Sequence, residues 1–218
     1  YGTLLPAPII GKRCAAELKT LKSAGHELGL HSWDHVYWHD QLDRMDLAEV
    51  KAEYERGWTA FLDLFGEAPR AVAAPGWTAT PASLALHDLK RLDYASDGRG
   101  ESPFRPSMGG REFLTPQIPT TLPTLDEALG LDGTTRENFV ERTLALLRPN
   151  ALHVYGAHGE AEGRGYQAEF DRLLRGARER SFEGHPLREA ERASVPVRLL
   201  ERKEIPGRAG LVSVQGGS

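Results

Sequence analysis

The stretch Gly25-His26-Glu27-Leu28-Gly29-Leu30-His31-Ser32-Trp33-Asp34-His35 constrains the fold of this chain more than any other. Leu28 and Leu30 fall on one face at strand period, and Gly29 between them leaves room for a neighbouring backbone to approach closely. Two imidazoles then arrive where the strand should give way to a loop, which places a polar site at a strand's end. Imidazole nitrogen is a good ligand for zinc and its neighbours. His31 and His35, with three residues between them in a turn, can reach one ion at about 2.0–2.1 Å. Two ligands do not complete a site, and a pair of polar loop histidines is the alternative at this point.

Composition bounds the rest. A chain of 218 residues, 40% hydrophobic, is long enough for one sizeable core, so a single domain over 1–218 is expected. The net charge of -4 argues against a nucleic-acid partner, which would call for a strongly basic face. A mild basic excess between Arg164 and Arg208 fits solvated helix faces, with contact at an anionic lipid surface as the rival reading. The single Cys14 can make no internal disulfide, which suits a reducing compartment. No apolar run is long enough to span a membrane and no signal peptide is visible, so a soluble or peripheral protein is expected.

Along the chain, residues 1–11 read as a connecting loop and 12–24 as a helix stopped by Gly25. Asp46 to Phe65 is the clearest helix, with Leu47, Val50, Tyr54, Trp58, Phe61, Leu62 and Phe65 on one apolar stripe and Gly66 closing it. Arg70 to Ala74 reads as a short buried strand ended by Pro75-Gly76-Trp77, and Thr80-Pro81 opens a helix. Leu92 to Ser96 is a further strand delivering Asp97 and Arg99 into a long loop whose prolines and glycines break regular structure as far as Thr121. Thr124 to Glu127 has the form of a capping box, and 136–147 is amphipathic. Leu152 to His158 alternates like a strand and ends on a third histidine, followed by Glu160 and Glu162. Residues 170–180 are helical, Phe182 opens a last short strand, and the tail from 206 to 218 reads as loosely ordered. Polar groups thus gather just after strands, which predicts an α/β fold with its site at the carboxyl ends of the strands.

Asp97 and Arg99 read equally as a structural ion pair and as ligand contacts, Arg99 being a natural bidentate partner for phosphate. Trp77 could line a site or pack its loop. Glu160 and Glu162 read equally as solvated or helix-start carboxylates and as functional ones. Trp33 and Trp38 favour core packing over lipid contact, and the remaining histidines read as structural or exposed.

Glu27 to His35 resembles the histidine motif of the NodB-type polysaccharide deacetylases. Tyr94-Ala95-Ser96-Asp97-Gly98-Arg99-Gly100, Pro103 to Pro106, Gln117 to Thr124 and His158 to Gly163 narrow the likeness to that family's deformylase branch, over nearly the whole chain. The resemblance implies a distorted, incomplete (β/α) barrel, here without its first strand. It implies a metal-dependent hydrolase that removes formate from 4-deoxy-4-formamido-L-arabinose linked to undecaprenyl phosphate, in the lipid A modification that resists cationic peptides. His31 and His35 would be metal ligands, and His158 the general acid. Pro75, Gly76 and Trp77 would form a groove wall; Asp97, Arg99 and Glu160 would contact substrate. The implied cofactor is a divalent metal, zinc first, with manganese and cobalt as alternatives. The implied location is cytoplasmic, with peripheral contact at the inner membrane. The family's first motif, an Asp at a strand end serving as third ligand and base, has no counterpart before His31, and Arg70 stands away from the family's usual arginine position. A polysaccharide N-deacetylase and an inactive relative that only binds glycolipid are the rival readings.

Overall fold

The computed structural model describes residues 8–190 and 194–217. Most of the expected 1–11 loop therefore lies outside the described residues. Helices α1 (Ile10–Arg13) and α2 (Ala15–Ser23) replace the single helix expected over 12–24. Helix α3 (His35–Gln41) is capped by the Asp34 carboxylate, which accepts from the Tyr37 N–H at 2.9 Å. Helix α4 (Leu47–Phe65) opens with a reciprocal Asp46–Glu49 capping box and closes on Gly66 at φ 73°. Its buried face carries Val50, Glu53, Tyr54 and Gly57, while Leu47 and Leu62 are exposed, so the apolar stripe is narrower than its sequence suggested. Strand β1 (Ala71–Val72), helix α5 (Pro81–Lys90) with its Thr80 cap and strand β2 (Tyr94–Ala95) fall where expected.

These pieces form an open, parallel arc. Leu30 bridges Val72, β1 pairs with β2, Ala95 bridges Gln117, and Arg99 bridges Thr120, all in parallel. Val154 then borders the arc through its carbonyl, which accepts from the Thr121 and Leu122 N–H groups at 3.0 Å each. The arc is a distorted, incomplete barrel rather than a closed one. Two expected strands need correction. The Leu28–Leu30 strand is a single bridge, and 152–158 is extended without a ladder, because each is paired along one side by only one or two residues.

Side-chain alternation assigns the two faces. Val72 and Ala95 join Leu30, Trp38, Leu42, Val50, Tyr54, Leu86 and Leu92 in the core beneath α3, α4 and α5. Ala71 and Tyr94 form a separate cluster with Ile118 and Val154 on the other face. Trp38 is core, as its sequence context favoured, and its indole donates to the Thr78 carbonyl at 3.1 Å. Helices α6 (Leu125–Ala128), α7 (Phe139–Leu144) and α8 (Gln167–Glu179) close a further core around Phe139 and Leu173.

A second sheet was not expected. Strands β3 (Arg105–Met108), β4 (Arg111–Glu112), β5 (Val197–Lys203) and β6 (Val212–Gln215) pair in the order β4-β3-β5-β6. The 97–121 loop therefore contains a hairpin turned through Gly109 and Gly110, both at positive φ. The tail supplies β6, while Phe182 opens no strand. None of the described helices is long and apolar enough to cross a membrane.

Candidate active site

His31 lies just past the Leu30 bridge. Its Nδ1 sits 2.6 Å from the Ala73 carbonyl oxygen, so Nδ1 carries the proton and Nε2 is presented outward. Ser32, at φ 60°, turns the chain so that His35 becomes the first residue of α3, and the two rings stand 5.1 Å apart between centroids at 56°. Gly57 lets α4 pass directly beneath, since a Cβ there would meet Leu30 Cδ1 at 3.0 Å and the Trp33 nitrogen at 3.2 Å. Gly29 likewise admits β1, since a Cβ there would lie 3.2 Å from the Ala71 carbonyl oxygen. Both imidazoles are open to solvent, yet the surrounding protein depresses them below the ordinary histidine value. Desolvation is the main cause for each. At His35 the charge of His31 adds to it, while Asp97 opposes it at His31 and Glu160 at His35.

Neutral imidazole is the form a metal requires, and a backbone carbonyl on the far ring nitrogen is a common support for a ligating histidine. The pair therefore fits a divalent cation in its donor chemistry. No set of three His, Cys, Asp or Glu side chains converges among the described residues, so two imidazoles are what this part of the chain offers.

His158 is brought to the same place. A charge on His158 would repel both His31 and His35, so this ring, from a distant part of the chain, faces the same end of the arc. Two carboxylates and two hydroxyls organise it, none of them marked by sequence spacing. The Glu162 carboxylate accepts from the His158 backbone N–H at 2.9 Å and from the Tyr155 hydroxyl at 2.6 Å. Glu162 is buried, inside a π turn over Ala161–Gly165, rather than solvated. Asp126 Oδ1 lies 3.4 Å from His158 Nδ1. Asp126 also accepts from the Thr124 hydroxyl at 2.6 Å and from Arg208 at 2.8 Å. Burial pushes Asp126 up, but Thr124, His158 and Arg208 together carry it below its ordinary value. Arg208 belongs to the segment expected to be loose. Gly207, at φ 80°, holds it there, because a Cβ would come within 2.4 Å of the Glu127 carbonyl oxygen.

The other sequence candidates fall into two groups. Glu160 is exposed and close enough to act on His35. Pro75 and Trp77 are buried in the turn after β1, and Gly76 at φ 58° is the only residue that fits against His39, whose Cδ2 would stand 2.1 Å from a Cβ. The Trp77 indole donates to Thr120 Oγ1 at 2.9 Å, and the guanidinium groups of Arg99 and Arg208 lie 4.9 and 4.8 Å from its ring centre. Asp97 and Arg99 do not pair with each other. Asp97 is wholly buried, taking the Gln117 amide at 3.1 Å, with His87 Nδ1 at 3.4 Å; burial pushes its carboxyl up and the buried His87 imidazole down. Arg99 NH1 grips Glu127 at 2.8 and 3.1 Å, and its NH2 donates to the Leu122 carbonyl at 2.8 Å. Both residues thus brace the loops behind the histidines. Beside His31 a groove of about 820 Å³ runs along the arc, lined in alternation by Gly29 and His31, Ala71 and Ala73, Tyr94 and Ser96.

Residues 9–95 match the polysaccharide deacetylase family. The chain is 39% identical over 217 residues to the probable 4-deoxy-4-formamido-L-arabinose-phosphoundecaprenol deformylase of Shewanella sediminis, spanning 98% of this chain and 70% of that protein. It is 31% identical to the protein of that name from Wigglesworthia glossinidia brevipalpis, spanning 94% and 73%. Among solved structures, a cobalt-bound family 4 acetyl xylan esterase from Clostridium thermocellum shares the fold at TM-score 0.55 and 16% identity, covering 83% of this chain and 71% of that one. A family 4 carbohydrate esterase from Streptomyces lividans does so at 0.53 and 12%, covering 84% and 78%. With the histidine turn, the open arc and these likenesses together, the chain belongs to the polysaccharide deacetylase family, in the group of its formamido-arabinose deformylases.

Proposed function

We propose that this chain hydrolyses the formamide of a 4-deoxy-4-formamido-L-arabinose carried on undecaprenyl phosphate, and that His31, His35 and His158 form its working site. The reading rests on one observation above all: His31 and His35 stand 5.1 Å apart at the end of the arc, with the His31 ring held by the Ala73 carbonyl and lining an open groove. His31 and His35 would hold the divalent cation, zinc in the first instance. Such an ion, when bound, polarises an amide carbonyl and acidifies a coordinated water.

The reaction joins the oxygen of water to the formyl carbon and breaks the carbon–nitrogen bond. His158, protonated, gives its proton to the departing amine nitrogen; of the two protons the water loses, one restores His158 and the other leaves on the amine, so formate and the ammonium form of the amino sugar depart. Asp126 faces His158 Nδ1 and so orients the ring, leaving Nε2 for the substrate, as the carboxylate partner of a catalytic histidine does elsewhere. Glu162 fixes the backbone from which the ring projects. Glu160 is free to contact the sugar, while Pro75, Gly76 and Trp77 form the wall behind it. The two depressed imidazoles stay neutral at pH 7, the form a ligand pair needs.

The test is formate release from the formamido glycolipid by the purified chain with zinc, manganese or cobalt, alongside calorimetry and an acetamido analogue. Release of formate supports the reading. Heat of binding without formate would identify a binding-only relative, and turnover of the acetamide alone would identify an N-deacetylase. Cosedimentation with anionic vesicles tests the peripheral membrane contact that a lipid-linked substrate calls for.

A further inference from the structure

Behind the histidine turn lies a second polar site that the reaction does not use. Between α4, α5 and the ends of β1 and β2, a cavity of about 20 Å³ is walled by Ser32, Tyr54, His87 and Asp97 together with apolar residues. Four polar atoms there, Ser32 Oγ, Tyr54 OH, His87 Nδ1 and Asp97 Oδ1, are buried without a hydrogen-bond partner. Tyr54, His87 and Asp97 are 3%, 2% and 0% exposed, so bulk water cannot satisfy them. The groups are mutual neighbours: His87 Nδ1 is 3.4 Å from Asp97 Oδ2, and the Tyr54 and His87 rings are 5.7 Å apart. Folded proteins rarely leave even one such atom dry, let alone four around one space.

We propose that this cavity binds one ordered water, and that through it Asp97, His87 and Tyr54 act as positioning residues for the turn bearing His31. The volume suits a single water, which needs about 10–15 Å³ and makes two to four hydrogen bonds. Donors and acceptors balance: the water accepts from the Tyr54 hydroxyl and the His87 Nδ1–H, and donates to Asp97 Oδ1 and Ser32 Oγ. Two anchors of His31 meet this cavity. Ser32, its immediate neighbour, holds the turn at φ 60°, and Ala73, whose carbonyl receives the His31 ring, is part of the same wall. Asp97 therefore serves the site from behind. The coupling to ligand geometry rests on the metal-pair reading above; the water site itself does not.

The experiment is a high-resolution crystal structure of the chain, with Co²⁺ titration and visible spectra of the wild type, Tyr54→Phe and Asp97→Asn. One density peak within hydrogen-bond distance of all four atoms is expected. Tyr54→Phe, which removes only a hydroxyl, should weaken Co²⁺ binding about tenfold and shift the ligand-field bands while circular dichroism stays unchanged. An empty cavity overturns the proposal, as does unaltered Co²⁺ affinity and spectrum in both variants. If the wild type takes up no Co²⁺, the hydrolase reading falls separately. The coupling is then read from the His31 ring resonances, which Tyr54→Phe shifts if the network holds the turn and leaves in place if it does not.

Discussion

Replacing Arg99 by methionine separates a bracing role from a substrate-binding one. The guanidinium is 13% exposed and grips a Glu127 carboxylate that is 4% exposed, at 2.8 Å. Removing it strands that carboxylate in the interior, and breaking such a pair costs about 3–5 kcal/mol. Arg208 Nε, 3.9 Å from Glu127 Oε1, relieves part of this and places the expectation near the lower end. At about 2.1 cal/mol/K per residue, a chain of 218 residues unfolds with an entropy near 0.46 kcal/mol/K. Arg99→Met should therefore lower Tm by about 7 °C, and by up to about 11 °C if Arg208 does not adjust. Adding Glu127→Met removes the orphaned charge and should restore most of the loss. Differential scanning calorimetry of the two variants reads both numbers. A fall of less than about 2 °C in the single variant, with a raised KM for the glycolipid, would refute the bracing argument and return Arg99 to the substrate's phosphate.

Further outcomes follow from the same geometry. His158→Gln should cut formate release by about 10²–10⁴-fold while Co²⁺ affinity by calorimetry stays at the wild-type value, since this ring donates a proton and holds no ion. Metal affinity should be level above pH 7 and fall in acid. The folded-state values of His31 and His35 lie below the ordinary 6.5, so protons compete only as pH drops through those lowered values. The same shift adds stability above pH 6.5 that is lost on acidification; a Co²⁺ affinity unchanged between pH 7.5 and 5 would contradict it. Gly29→Val should destabilise the chain by about 1–3 kcal/mol in urea titration, because its Cβ would press on the Ala71 carbonyl oxygen at 3.2 Å.

Much of this molecule was legible locally. The capping signals at Thr80 and Thr124, the stop at Gly66 and the close approach at Gly29 involve residues within a turn of each other or a missing side chain, and each is where its sequence said it should be. The histidine turn was legible for the same reason, since ligand-type residues after an apolar alternation need no distant partner to be recognised. The second sheet was not legible. A four-residue strand such as β3, with a proline inside it, carries little periodic signal, and its pairing to β5 joins Arg105 to Val197 across the chain.

The sequence by itself determined which chemistry is present: two imidazoles after a strand, a third after a later extended segment, and glycines where backbones crowd. Only the tertiary structure decided which side chains touch that chemistry and which support it. Asp126 and Arg208 gather at His158, and Asp97 and Arg99 withdraw into the interior, because charged groups take whatever partner the topology brings within reach, and buried ones must. Sequence spacing carries no trace of that choice.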